Sequence, residues 1–267
     1  MFNFEGGCYA KCIKLTYEKE PQIWDAIRFG SVIENVIVDS ETGKPDYDNS
    51  SITENTRCAY PLDYIGHAVP SGLGGHPKAI VFLTCDAFGV LPAVARLTPA
   101  QAMYHFMSGY TAALGGTETN LGKEPVPTFS ACFGAPFLPL PPQRYAEMLA
   151  KKMREHAARC YLVNTGWVGD PYGVGQRVPL PVTRQIIAHI LSGAVEKASF
   201  RRGPVFGLEA PQVLPGVPSE LLNPRLTARS LPEYEQRARD LAKKFVANFA
   251  QFKGVAPEIL AVAPQPG

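Results

Sequence analysis

The run AIVFLT, residues 79–84, followed by Cys85-Asp86, decides the fold class. It is apolar without alternation and closes on a threonine, which reads as a central strand buried on both faces. Strands of that kind belong to sheets covered by helices. CYLVNT at 160–165 is a second such run. Helix signals fall between and after them. Thr98-Pro99 opens a helix through about Tyr110, because proline suits the first turn. Pro141-Pro142 opens an amphipathic helix with Tyr145, Met148, Leu149 and Met153 on one side. Further helices are expected around 182–193 and 232–250, with a Pro-rich connection over 201–231. Ahead of them, residues 7–15 alternate as a strand would. Pro21 starts a helix whose apolar side is Ile23, Trp24, Ile27 and Phe29. Residues 31–38 form a strand, and 31–60 as a whole looks like consecutive strands. The class is therefore α/β, with a mixed β-sheet flanked by helices.

The bulk numbers fit that class. The chain has 267 residues, 46% of them hydrophobic, enough for a sizeable core. The 24 glycines and 25 prolines cut it into short elements and long loops. Formal net charge is +2 and the cations are scattered, which argues against nucleic acid and against an anionic membrane as partners. No apolar stretch approaches the ~20 residues of a bilayer-spanning helix. The start, MFNFEGGCYA, lacks the cationic and apolar regions of an export signal. The six cysteines form no CxxC pair, so they read as reduced, mostly buried thiols of a cytoplasmic protein.

Few short catalytic motifs are present. There is no GxxxxGK[ST] phosphate loop, no GxGxxG and no GxSxG elbow. Gly72-Leu73-Gly74-Gly75 leads into His76-Pro77-Lys78, which fails the phosphate-loop spacing. The five histidines show no metal-ligand spacing, and His105 and His189 sit in helical patterns as packing or surface residues. The loop 166–176 holds four glycines; it could admit a ligand's close approach or be a plain surface loop. Three cations stand at strand or loop ends. Lys11 alternates with Tyr9 and Ile13, Arg57 ends the polar run Thr53-Glu54-Asn55-Thr56, and Arg177 follows the glycine loop. Such positions suit carboxylate or phosphate contact, and equally suit surface salt bridges.

Longer runs carry more. FNFEGGCYAKCIKL (2–15), ENTRCAYP (54–61), FLTCDAFGVLPAVARLT (82–98), TFSACFGAPF (128–137), YLVNTGWVGDPYGVGQR (161–177) and FVANFAQF (245–252) resemble the ATP-dependent phosphoenolpyruvate carboxykinase family. They occur in the family's order across essentially the whole chain. The resemblance implies an incomplete carboxy-terminal mononucleotide-binding domain over residues 1–267, in the cytoplasm. It implies conversion of oxaloacetate and ATP to phosphoenolpyruvate, ADP and carbon dioxide in gluconeogenesis, with Mg2+ and Mn2+ as cofactors. Arg57 matches an arginine touching both substrate carboxylate and ATP phosphate. Lys11 matches a lysine near the transferred phosphate, and Glu20 a nucleotide-contacting carboxylate. Arg177 and Val178 match the pair flanking adenine, and Thr183 another adenine-side contact. The segment 114–124 resembles the family's mobile lid.

The family's phosphate loop and metal-binding Asp lie just upstream of the FNFEGG run. Its other metal ligands and substrate-binding Arg and Tyr lie further upstream. The resemblance therefore implies that this chain holds part of an active site and none of the protein metal ligands. Two roles follow: a portion of a working enzyme completed by a separate amino-terminal half, or a non-catalytic product with weak adenine-nucleotide binding. An unrelated α/β interaction module would leave the six runs unexplained.

Overall fold

The computed structural model describes residues 7–113 and 125–267. The chain divides into two compact units, residues 1–76 with 114–123 and residues 77–113 with 124–267. Each is described by itself.

The first unit contains β1 (Gly7–Lys11), α1 (Pro21–Ala26), β2 (Val32–Glu34), β3 (Ile37–Val38), β4 (Pro45–Asp46) and β5 (Arg57–Pro61). A three-stranded antiparallel sheet runs in the order β1-β5-β2, and β3 pairs with β4. β1 stops at Lys11, short of the expected 7–15. The chain bends beyond it, with Lys14 in the left-handed region at φ 51°. Cys12 N–H bonds the Thr56 carbonyl and Lys14 N–H the Tyr47 carbonyl, which tie the bend to the core. The strand expected over 31–38 is broken by Asn35, at φ 59°. Asparagine tolerates that conformation better than its β-branched neighbours. Phe29 leaves the expected apolar side of α1; it lies beyond the helix end and is fully exposed. One face of the sheet packs Cys12, Leu15, Ala26, Tyr47, Cys58 and Tyr60.

The second unit contains β6 (Ala79–Thr84), β7 (Val94–Leu97), α2 (Pro99–Ser108), β8 (Tyr110–Ala113), β9 (Val126–Phe129), α3 (Pro142–His156), β10 (Arg159–Asn164) and α4 (Leu180–Leu191). β11 (Phe200–Arg202), β12 (Glu209–Pro211), α5 (Ser219–Leu222), α6 (Pro224–Thr227), α7 (Leu231–Phe249) and α8 (Pro257–Leu260) complete it. Its main sheet has the order β11-β12-β7-β10-β6. β10 runs parallel to β6 and antiparallel to β7, so the sheet is mixed. Alternation along β10 explains the two layers of core. Cys160 and Leu162 enter one cluster with α2, α3 and α7; Tyr161 and Val163 enter another with α4. A strand covered on both faces is apolar on both, as residues 160–163 are.

Three expectations change. The run 79–84 is an edge strand among the described residues rather than a central one: β10 is its partner, and Leu83 is 57% exposed. The Pro-rich 201–231 connection is not merely a connection, since β12 within it extends the sheet beside β7. On α3 the buried positions are Ala146, Ala150 and Met153, while Met148 is exposed. Small alanines let α3 approach α2 closely, a role that side-chain hydrophobicity alone does not reveal. α2 itself starts as expected: Thr98 and Gln101 form a reciprocal capping box, and Gly109 ends it in the left-handed region. Among the described residues, no helix is long and apolar enough to cross a membrane.

Candidate functional site

The carboxyl ends of the parallel strands β6 and β10 lie side by side, Asn164 opposite Thr84. In open α/β sheets that end of the strands is where ligands bind. Two buried polar side chains organise it. Asp86 accepts from the N–H groups of Phe88 (2.9 Å), Val90 (2.7 Å) and Leu91 (2.8 Å), and from the Tyr110 hydroxyl (2.9 Å). Burial pushes its carboxyl above the usual range, opposed by these hydrogen bonds. Asn164 accepts from the N–H groups of Asp86 (3.0 Å) and Gly166 (2.8 Å). Its amide donates to the carbonyls of Leu91 (3.1 Å) and Trp167 (2.9 Å). Neither residue was singled out for this role in the sequence, because the bonds that join them to the rest of the site, Asn164 to Asp86 and Leu91 and Asp86 to Tyr110, span 24 to 78 residues.

This framework sets the loop that carries Arg177 and Val178. Trp167 and Arg177 form an antiparallel bridge. The Arg177 Nε donates to the Thr165 carbonyl at 2.8 Å, and its guanidinium lies 5.9 Å from the Trp167 ring centroid. Arg177 is exposed. Val178 donates its N–H to the Gly166 carbonyl at 2.7 Å and is buried with Ile186 of α4. Thr183 lies in the first turn of α4 and is buried. The glycine loop serves a purpose different from ligand approach at two points. A Cβ on Gly166 would stand 2.3 Å from the Asp86 carbonyl oxygen. One on Gly169, at φ +83°, would stand 2.5 Å from the Thr227 side chain. These glycines admit the protein's own chain.

The other expected residues lie in the first unit. Lys11 and Arg57 are register partners across β1 and β5, and Glu34 is the register partner of Arg57 across β2. Register partners share a face, and this is the face opposite the core. Tyr9 stands on it, 60% exposed, with the Arg57 guanidinium 5.3 Å from its ring centroid. The Tyr9 hydroxyl donates to the Glu34 carboxylate, which raises the phenol pKa. Arg57 Nε donates to Asn55 Oδ1 at 2.8 Å. The row sets Lys11 and Arg57 beside one carboxylate, Glu34, and lysine and arginine are the side chains that bind phosphate and carboxylate. Glu20 precedes α1 at its N-cap position without capping it through the side chain. Tyr9, Glu34 and Asn55 were not foreseen; the Tyr9/Lys11 alternation was the available signal for the first.

All six cysteines are free, and burial raises the thiols of Cys12 and Cys58, the latter to about 12. Among the described residues, no three His, Cys, Asp or Glu gather as a metal site. The 114–124 segment and residues 2–6 of the first family-like run lie outside the described residues.

A family model described as phosphoenolpyruvate carboxykinase matches residues 1–220. The sequence is 56% identical over 265 residues to the phosphoenolpyruvate carboxykinase (ATP) of Caldanaerobacter subterraneus subsp. tengcongensis, covering 99% of this chain and 51% of that protein. It is 57% identical over 258 residues to the Rubrobacter xylanophilus protein of that name, covering 97% and 48%. With the Thermus thermophilus protein the identity is 55% over 267 residues, covering 99% and 50%. The chain spans about half the length of the curated relatives it matches.

Proposed function

We propose, from the premise that this chain belongs to the ATP-dependent phosphoenolpyruvate carboxykinase family, that it supplies the adenine side and part of the phosphate side of such an enzyme's active site. It corresponds on this reading to the carboxy-terminal, nucleotide-binding portion, in the cytoplasm. The reaction is conversion of oxaloacetate and ATP to phosphoenolpyruvate, ADP and carbon dioxide. The observation that carries the proposal is the in-register pair Lys11 and Arg57 on the exposed sheet face.

Each residue's part follows from its chemistry. Decarboxylation of oxaloacetate leaves an enolate, whose oxygen takes the γ-phosphoryl group of ATP. Both partners are anions, so the enzyme's task is to hold them together and offset their charge. Arg57 offers a planar fork that can engage a carboxylate and a phosphate at once. Lys11 beside it adds a compact charge near the transferred group. Arg177 stacks against adenine, Val178 offers an apolar wall and backbone, and Thr183 adds a contact at the start of α4. Glu20 holds a ribose hydroxyl.

Divalent metals supply charge neutralisation in this chemistry. The described residues hold no donor set for one, so no step here is routed through a metal. The phosphate loop and metal ligands are proposed to come from residues outside this sequence. Reconstitution tests this: the chain is mixed with a polypeptide carrying the portion of its relatives that it does not span. The expected result is oxaloacetate decarboxylation that needs ATP, manganese and both polypeptides, with none from this chain alone. An assembled but inactive complex would overturn the proposal and leave the second reading, a non-catalytic chain with weak adenine-nucleotide binding.

A further inference from the structure

We propose that Asn55 is a positioning residue that presets the plane of Arg57 for a bidentate anion; this rests on the proposed anion-binding role of Arg57. An arginine side chain has many rotamers, and the entropy of fixing one must otherwise be overcome by the ligand on binding. Here the Arg57 side chain is held by two neighbours. Asn55 Oδ1 accepts its Nε–H at 2.8 Å. The Tyr9 ring lies 5.3 Å from the guanidinium carbon, and Tyr9 is itself fixed by its hydroxyl bond to Glu34.

A planar group with one in-plane atom and one face fixed has little orientational freedom left. Anchoring through Nε keeps the Nη1/Nη2 edge for a ligand, and that edge matches the spacing of two oxygens of one carboxylate or phosphate. The strand register sets Lys11 alongside. A neutral acceptor suits this task. A carboxylate at position 55 would hold Nε as well but would add a second negative charge to that of Glu34 in the same row.

Asn55 is held in turn. Its N–H donates to Thr53 Oγ1 at 3.1 Å, and its carbonyl accepts from Asn35 Nδ2 at 3.1 Å. Asn35 is the left-handed residue that ends β2. The break in the 31–38 strand thus turns the Asn35 amide toward the segment leading into β5.

The test uses the full chain with 15N-labelled arginine and phosphoenolpyruvate as the probe. Arg57→Lys identifies the Arg57 Nε–H signal by its loss. That proton is expected to exchange slowly in the native chain, to exchange as fast as exposed arginines in Asn55→Ala, and to stay slow in Asn55→Asp. Phosphoenolpyruvate binding, measured by titration of the same spectra, is expected to weaken about tenfold in Asn55→Ala, the loss of one preset side chain. Binding in Asn55→Asp is expected to weaken as well, with the slow exchange retained. Fast native exchange, or Asn55→Ala with unchanged exchange, overturns the proposal. If instead Arg57→Ala leaves phosphoenolpyruvate binding unchanged, the anion-binding role of Arg57 fails, while the exchange rates still decide whether Asn55 fixes it.

Discussion

Replacing Asn164 by alanine removes the clamp that holds the carboxyl ends of β6 and β10 and the loop after them. The side chain is fully buried and makes four hydrogen bonds, all to backbone groups: Asp86 N–H, Gly166 N–H, and the Leu91 and Trp167 carbonyls. Alanine leaves four backbone groups without that partner. A buried unpaired group costs about 1–3 kcal/mol. Allowing for relaxation, the expected loss is about 4–6 kcal/mol, a large share of the 5–15 kcal/mol typical of a folded domain. The assay is urea unfolding followed by tryptophan fluorescence. The chain has two tryptophans, so a Trp24→Phe background leaves Trp167, buried beside the clamp, as reporter. Asn164→Asp is a useful companion. It keeps an acceptor for the two N–H groups but sets a second oxygen against two carbonyls, so it too should destabilise strongly. A loss below about 1.5 kcal/mol in Asn164→Ala would show that the four bonds do not hold this end of the sheet.

Gly166→Ala should destabilise by about 3 kcal/mol or more, because its Cβ meets backbone atoms of Asp86 that cannot swing away; thermal unfolding reads this, and a near-neutral result refutes the close approach. His105 is buried against Tyr104 and Phe245, and burial lowers its pKa to about 4. A histidine kept neutral in the fold binds its proton in the unfolded chain first. Its contribution is therefore full above about pH 6.5 and is lost as pH falls toward 4, by at most about 3 kcal/mol. His105→Leu should flatten the stability profile over that window, and an unchanged slope would contradict the assignment. Arg177→Ala should weaken adenine-nucleotide binding about tenfold while shifting stability by less than about 1 kcal/mol, since the side chain is exposed; calorimetry and urea unfolding together check the pair of outcomes.

What the sequence made legible follows a physical rule. β10 was readable because both its faces are covered, which forces the apolar run over residues 160–163. β6 looks alike in sequence, yet strand position in a sheet is a tertiary property, and its edge location left no local mark. β2 and β3 merged in the reading because Val36, Ile37 and Val38 hide the effect of one asparagine backbone angle at position 35. Thr98, Pro99 and Gly109 announced α2 because capping is local chemistry. The site divides the same way. Lys11, Arg57 and Arg177 were accessible as cations at element ends and through family resemblance. The in-register meeting of Lys11 with Arg57 was not, since no short hairpin links β1 to β5. Asp86 and Asn164 bond across 78 residues of sequence, beyond any local pattern.

The central proposal is that the segment around Lys11, Glu20 and Arg57 and the segment around Arg177, Val178 and Thr183 each take part in nucleotide binding. Hydrogen exchange of the chain with and without millimolar ATP tests it most directly. The account predicts slowed exchange over residues 8–20, 54–61 and 166–183, with α3 and α7 unchanged. Unaltered exchange in those three windows at saturating ATP, or protection confined to other elements, would contradict it.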